Sequence, residues 1–268
     1  MMIGYKVKKL IGTSTYNMMT AIYYKFNLFS TMRYFIRYIK HRVEKRIIVI
    51  GDSHVNFFSG NEYINWRPFA YHHGVINISV DKNKNFDAIH LGPALAYNVN
   101  GYGATTKARE KIDYLCEHFF QENDTVICVF GEIDLRVHVV KQINGVKKDS
   151  KEQVDKILGN YIKFLTFLVA KGYNVWCWGA IASQKDDWHM NESYPRAGTE
   201  QERNKATEYF NNQLEKLCIK NNIGFVSIFP HLINSDYETK GEYIADECHL
   251  SQKAWDYAEI EFRKQNLF

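Results

Sequence analysis

From Ile47 onward, short apolar runs recur, each ended by a corner bearing glycine, proline or acids and most followed by a stretch of helical period. The runs cover 47–50, 74–80, 86–91, 125–130, 174–181 and 224–229 and read as strands. Helices are expected over 105–120, where Ala108, Ile112, Leu115 and Phe119 recur at three- and four-residue steps, and over 200–220 and 251–264. A charged loop over 141–151 opens a further helix that reaches about 170. The polar stretch 183–199 and the irregular stretch 230–250 are loops. Such alternation predicts an α/β chain: a three-layer α/β/α sandwich with a mainly parallel sheet. Ligands of these sheets gather beyond the C-terminal ends of the strands. Reactive residues stand there: Asp52, Ser53 and His54 after the first run, Gly92 and Pro93 after the third, Glu132 and Asp134 after the fourth. Asp246 and His249 lie in the loop after the last.

Charge divides the chain in two. Residues 1–46 hold ten Lys/Arg against one acid, Glu44, whereas 47–268 hold 24 against 29. The formal +4 is therefore a strongly basic leader ahead of a mildly acidic body, and the body lacks a basic stripe interleaved with aromatics. Nucleic acid is not an expected partner. With 15% aromatics and four prolines, disorder is excluded as the dominant state. Two parts are expected: a basic, aromatic-rich, helical extension over 1–46 and one α/β domain over 47–268. In the extension, Phe29, Met32, Phe35, Ile36 and Ile39 fall on one helical face. That pattern predicts a helix packed on the body with its basic side in solvent; contact with an anionic membrane surface or a partner protein is the alternative. No run reaches the roughly 18 apolar residues of a membrane span, and no clean apolar signal core is evident, so a cytoplasmic protein, membrane-peripheral at most, is expected. The five cysteines are widely spaced, odd in number and without a CxxC pair, as small buried hydrophobes of a reducing compartment would be.

A serine at a strand-to-turn corner, as in IIVIGDSH, can be held exposed with the following N–H groups aimed at the same point. Taken alone, 51–53 reads equally as a turn with a helix-capping serine. A serine hydroxyl becomes a nucleophile only when a base removes its proton, and that base needs a third group to orient it. Asp246 and His249, three residues apart in IADECHLS, form a compact candidate for that pair.

With these two blocks the chain resembles the SGNH (GDSL-like) hydrolases. Gly51-Asp52-Ser53-His54 is similar to the family's nucleophile block, and Asp246-Glu247-Cys248-His249 to its DxxH block. The resemblance runs from about Ile47 to the end of the chain and implies a flavodoxin-like fold. It assigns Ser53 as nucleophile, His249 as base and Asp246 as its orienting acid. It also implies an oxyanion hole of three donors: the nucleophile's N–H, a glycine N–H after an early strand, and an asparagine in a GxND block. The glycine is Gly92, with Gly101 and Gly103 as alternatives. The fourth strand instead ends in GEIDLR, so Asp134 falls on the family's aspartate while Ile133 stands where asparagine is expected. Losing one such donor costs about 3–4 kcal/mol of transition-state stabilisation. Arg136, His54, His138 and Asn98 are candidate replacements. Glu132 is expected to pair with Arg136 or to bind sugar hydroxyls, and a satisfied ion-pair network of Glu132, Asp134 and Arg136 is the structural alternative.

GDSH in place of GDSL resembles the branch acting on acyl groups of cell-surface carbohydrates. His54 otherwise braces the turn. The expectation is a serine esterase that removes a small acyl group, acetyl favoured, from an acylated carbohydrate or other small ester. The alternatives are an O-acyltransferase using the same site and a non-catalytic carbohydrate-binding or scaffold protein. No metal or cofactor is expected: Tyr71, His72, His73 and His90 have no metal spacing, HExxH is missing, and so are GxGxxG and GxxxxGK. Asp186, Asp187, Trp188 and His189 read as a solvated loop or as a cleft lining with Trp188 stacked on a sugar. Cys248 is a poor second choice of nucleophile beside Ser53.

Overall fold

The apolar runs do form strands, and in the computed structural model seven strands make one sheet. They are β1 (Ile47–Gly51), β2 (Trp66–Tyr71), β3 (Val75–Ser79), β4 (Phe86–His90), β5 (Thr125–Val129), β6 (Asn174–Trp178) and β7 (Gly224–Val226). Residues 28–44, 46–80, 82–83, 85–141, 150–190, 192 and 195–267 are described. The expectations for 1–27, the side chain of Phe29 and most of the charged loop 141–151 lie outside them. The sheet order is β2-β3-β4-β1-β5-β6-β7, parallel from β4 through β7.

Among the described residues, five helices of ten residues or more accompany the sheet, α1 (Leu28–Glu44), α2 (Ala108–His118), α3 (Ser150–Ala170), α4 (Glu200–Lys220) and α5 (Trp255–Lys264), and a single helical turn, Phe229–Leu232, follows β7. Because successive side chains of a strand point to opposite faces, β1 feeds two cores. Ile48 and Ile50 pack with Ile112, Leu115, Phe164 and Phe210 from α2, α3 and α4. Ile47 and Val49 join Phe57, Phe58, Trp178 and Phe262 on the α5 side. This is the expected three-layer α/β/α fold.

β2 was not expected. Its sequence, WRPFAY, carries Pro68, which lacks a ladder donor; the strand sits at the sheet edge with an irregular register between Pro68 and Ala70. β2 pairs antiparallel with β3, and β3 antiparallel with β4, so the sheet is mixed. Two corners carry more structure than a loop. Ser53–Ser59 forms a 3-10 turn after β1, and Asp134–Val139 a π-helical turn after β5. Gly51 allows the first corner to begin flush with the sheet, since a Cβ there would collide with the Val129 carbonyl of β5.

α1 reverses the expected packing. Met32, Phe35, Ile36, Ile39 and Val43 are 54, 61, 44, 45 and 76% exposed. The opposite face meets the body instead: Tyr34 packs on Phe69 and Phe119, while Arg37 and His41 are buried. The cause is Asp87, wholly buried in β4. A buried carboxylate needs charged donors. Arg37 Nη1 and Arg46 Nε donate to its Oδ1 at 2.8 and 3.0 Å. His41 lies between Asp87 and Asp124, with Nε2 2.8 Å from Asp124 Oδ2. Burial opposes charge on His41, but the two carboxylates outweigh it and raise its pKa from 6.5 to about 9.

Candidate active site

The turn after β1 is built from its cap. Asp52 is buried, and its Oδ1 accepts the His54 N–H at 2.9 Å, starting the 3-10 turn whose first residue is Ser53. The Ser53 N–H thus heads the turn, where no intrahelical acceptor exists. The partner loop is strapped by an Ile244–Leu250 bridge and by Ala245 N–H to His249 O at 2.8 Å. Within it Asp246 Oδ1 accepts the N–H groups of Cys248 and His249, both at 2.9 Å. The carboxylate also meets His249 Nδ1 at 2.8 Å through Oδ2. His249 Nε2 lies 2.7 Å from Ser53 Oγ. An ionised carboxylate can only accept, so Nδ1 carries the proton and Nε2 is left as the acceptor toward the serine. Burial works against charge on Asp246, but His249 and the two N–H groups hold its pKa well below the usual carboxylate range.

A second charged group lies beside this relay, with the His54 and His249 ring centroids 5.0 Å apart. His54 Nε2 is 3.2 Å from Glu132 Oε2, and Arg136 Nε donates to Glu132 Oε1 at 2.6 Å. All three are buried. Burial disfavours the Glu132 carboxylate, but Arg136 and His54 overcome that and keep it ionised. The expected Glu132–Arg136 pair is present.

The cleft around Ser53 encloses about 260 Å³. Ile64, Pro93 and Ile133 line it together with Trp66, which stacks on His90 at 4.6 Å and 5°. Arg136, Gln184, Glu247 and Cys248 complete it. Burial and the nearby Lys111 push the His90 pKa down to about 3, so the stack presents a neutral imidazole. Trp66 escaped sequence reasoning because β2 did, while His90 was considered only as a metal ligand.

Several expected site residues point elsewhere. Asp52 faces the turn it caps and not the cleft. Asp134 accepts the Ala96 and Tyr97 N–H groups at 2.8 and 3.1 Å, bracing the loop after β4 from beneath. Its pKa is pushed up to about 7 by burial. Asn98 and His138 line an adjoining cavity with Thr105 and Val137. Gly101 and Gly103 are exposed. Asp186 holds Arg203 and the Glu200 N–H, and Trp188 packs near Gly241, so neither lines the cleft. Of the proposed substitutes for the missing asparagine, only Arg136 reaches the cleft wall.

Gly92 adopts φ +106°, a conformation glycine tolerates. The carbonyl before it, Leu91 O, accepts Lys111 Nζ at 2.6 Å. In a trans peptide the C=O and the following N–H point in opposite directions. The buried Lys111 therefore turns the Gly92 N–H away from itself. Burial lowers the Lys111 pKa to about 8. A lysine in the first turn of an amphipathic helix gave no signal of this in the sequence. Among the described residues, His54, Cys248 and His249 have metal-ligating atoms within 4.8 Å of one another, but both ring nitrogens of His249 are already engaged, by Asp246 and by Ser53.

No family model matches the chain, and no curated protein matches it by sequence. Solved structures do. A Streptococcus pneumonia protein described as a platelet activating factor aligns with 95% of this chain and 99% of its own, at 14% identity and TM-score 0.52. A GDSL-like lipase of Bacteroides thetaiotaomicron aligns with 84% of this chain and 88% of its own, at 14% identity and TM-score 0.48. A carbohydrate acetylesterase of Sinorhizobium meliloti aligns with 84% and 100%, at 13% identity and TM-score 0.45. The first of these likenesses carries the fold across nearly the whole chain.

Proposed function

We propose that the chain is a serine esterase that removes a small acyl group, acetyl favoured, from a carbohydrate. The observation that carries this reading is the unbroken line from Asp246 through His249 to Ser53, at 2.8 and 2.7 Å. Ser53 Oγ attacks the acyl carbonyl as His249 Nε2 takes its proton, and Asp246 stabilises the imidazolium that results. The N–H groups of Ser53 and Gly92 hold the oxyanion. Collapse of the intermediate expels the sugar oxygen, which takes the proton back from His249. A water activated by the same imidazole then frees the acid. Ile133 supplies no third donor, so turnover is expected to be modest, with Arg136 in the cleft wall adding positive charge. The stacked Trp66 offers a flat surface for a sugar ring, beside the polar Gln184 and Glu247.

The test is hydrolysis of a small acetyl ester by the purified chain and by Ser53→Ala. Turnover that vanishes in the variant supports the mechanism; unchanged turnover ends it. A serine-directed phosphonate that leaves Ser53 unlabelled in folded protein would favour a binding role. Acyl transfer outrunning hydrolysis at saturating glycan would make the chain a transferase.

A further inference from the structure

We propose that the outward face of α1 is a seat for an anionic phospholipid surface. Met32, Phe35, Ile36, Ile39 and Val43 recur at helical steps and form one apolar stripe, all of it exposed. A stripe of this kind on the surface marks an interaction site. Its exposure is built in, because the polar face is the one the body holds. Arg37 and Arg46 meet Asp87, His41 lies between Asp87 and Asp124, and Arg33 Nη1 donates to the Pro68 carbonyl. The helix cannot roll its apolar side inward without stranding the buried Asp87.

Charge selects the occupant. Lys40 and Arg42 are exposed on α1 itself, and Arg67 is exposed on β2 close enough to Arg33 to depress its pKa after burial has done so. Residues 1–27, which lead directly into the helix, add four lysines and no acid. An apolar stripe with a cationic rim is the pattern of a helix lying in the interface plane of an acidic membrane. The same excess charge repels a second copy. Adsorption here leaves the cleft open: the last turns of α1 lie against Asp87 and Asp124, at the N-terminal ends of β4 and β5, while Ser53 follows the C-terminal end of β1. Among the described residues no helix is long and apolar enough to cross a membrane, so the contact is peripheral.

The experiment is flotation of the full chain with vesicles of phosphatidylcholine alone and of phosphatidylcholine mixed with phosphatidylserine. Binding to the mixed vesicles, weakened by added salt, is expected. Phe35→Ser with Ile39→Ser should lower the bound fraction's partition coefficient at least about tenfold, with an unchanged circular dichroism spectrum, while Ser53→Ala binds as the parent does. The proposal is overturned if the folded chain ignores both vesicle types, if it binds both equally without salt dependence, or if the double variant binds as well as the parent. It also fails if the parent is a dimer that the double variant splits and that does not bind lipid.

Discussion

Two carboxylate–imidazole pairs lie side by side in this protein. Asp246–His249 and Glu132–His54 have ring centroids 5.0 Å apart, and each joins a carboxylate to an imidazole nitrogen. What separates them is the second nitrogen. His249 turns Nε2 onto the Ser53 hydroxyl at the edge of a cleft, whereas His54 Nδ1 is buried without a partner and its glutamate is locked by Arg136. An acid–histidine pair becomes machinery only when its far nitrogen reaches a group that must lose a proton; otherwise it is a strut.

The sharpest way to break that contrast is to neutralise each acid. Asp246→Asn should cut kcat for ester hydrolysis by about 10⁴-fold, by favouring the wrong tautomer, while leaving the urea midpoint nearly unchanged. Glu132→Ala should do the reverse. Removing the carboxylate that faces the buried Arg136 costs about 3–5 kcal/mol of stability, read as a fall in the urea midpoint, with far less loss of kcat in the folded fraction. A collapse of kcat in Glu132→Ala comparable to that in Asp246→Asn would erase the distinction.

A third pair, His41 with Asp87 and Asp124, extends the comparison to α1. Its folded pKa is raised from 6.5 to about 9, so its stabilisation is complete below pH 6.5 and is lost as the pH climbs through about 9. The amount is at most on the order of 3 kcal/mol. Hydrogen exchange should show α1 loosening over that window, and His41→Gln should remove the pH dependence. The smallest effect concerns Lys111. Replacement by Met should lower kcat about tenfold with KM unchanged, since it frees the Leu91–Gly92 peptide without touching substrate. A change confined to KM would show that Lys111 does not set the oxyanion donor.

Much of this was legible in the chain. The parallel strands and the sites at their ends follow from buried runs such as IIVI and TVICV, whose period leaves few alternatives. The relay was readable because GDSH and DxxH each compress their geometry into four residues. β2 was not, because Pro68 and Arg67 interrupt its alternation and an edge strand needs only one good face. The facing of α1 was also hidden. An amphipathic pattern says which side is apolar, but the side that docks depends on what the body offers, and here it offers a buried acid. The one available hint was Asp87 itself, an acid set inside the strand FDAIH. Ile133 was visible as an anomaly, while the lysine bracing Gly92 lies 19 residues beyond it and is joined to it only by the fold.

Gly51 bears on how such a protein can change over time. Because any side chain there would strike β5, the start of the Ser53 turn is tied to the sheet and closed to mutational drift. The walls of the cleft carry no such tie: Ile64, Gln184 and Glu247 come from connecting segments and Trp66 from the edge strand. A lineage, or a directed-evolution campaign, can therefore reshape what enters the cleft by altering those walls while the Ser53 hydroxyl stays where the ladder of β1 and β5 puts it.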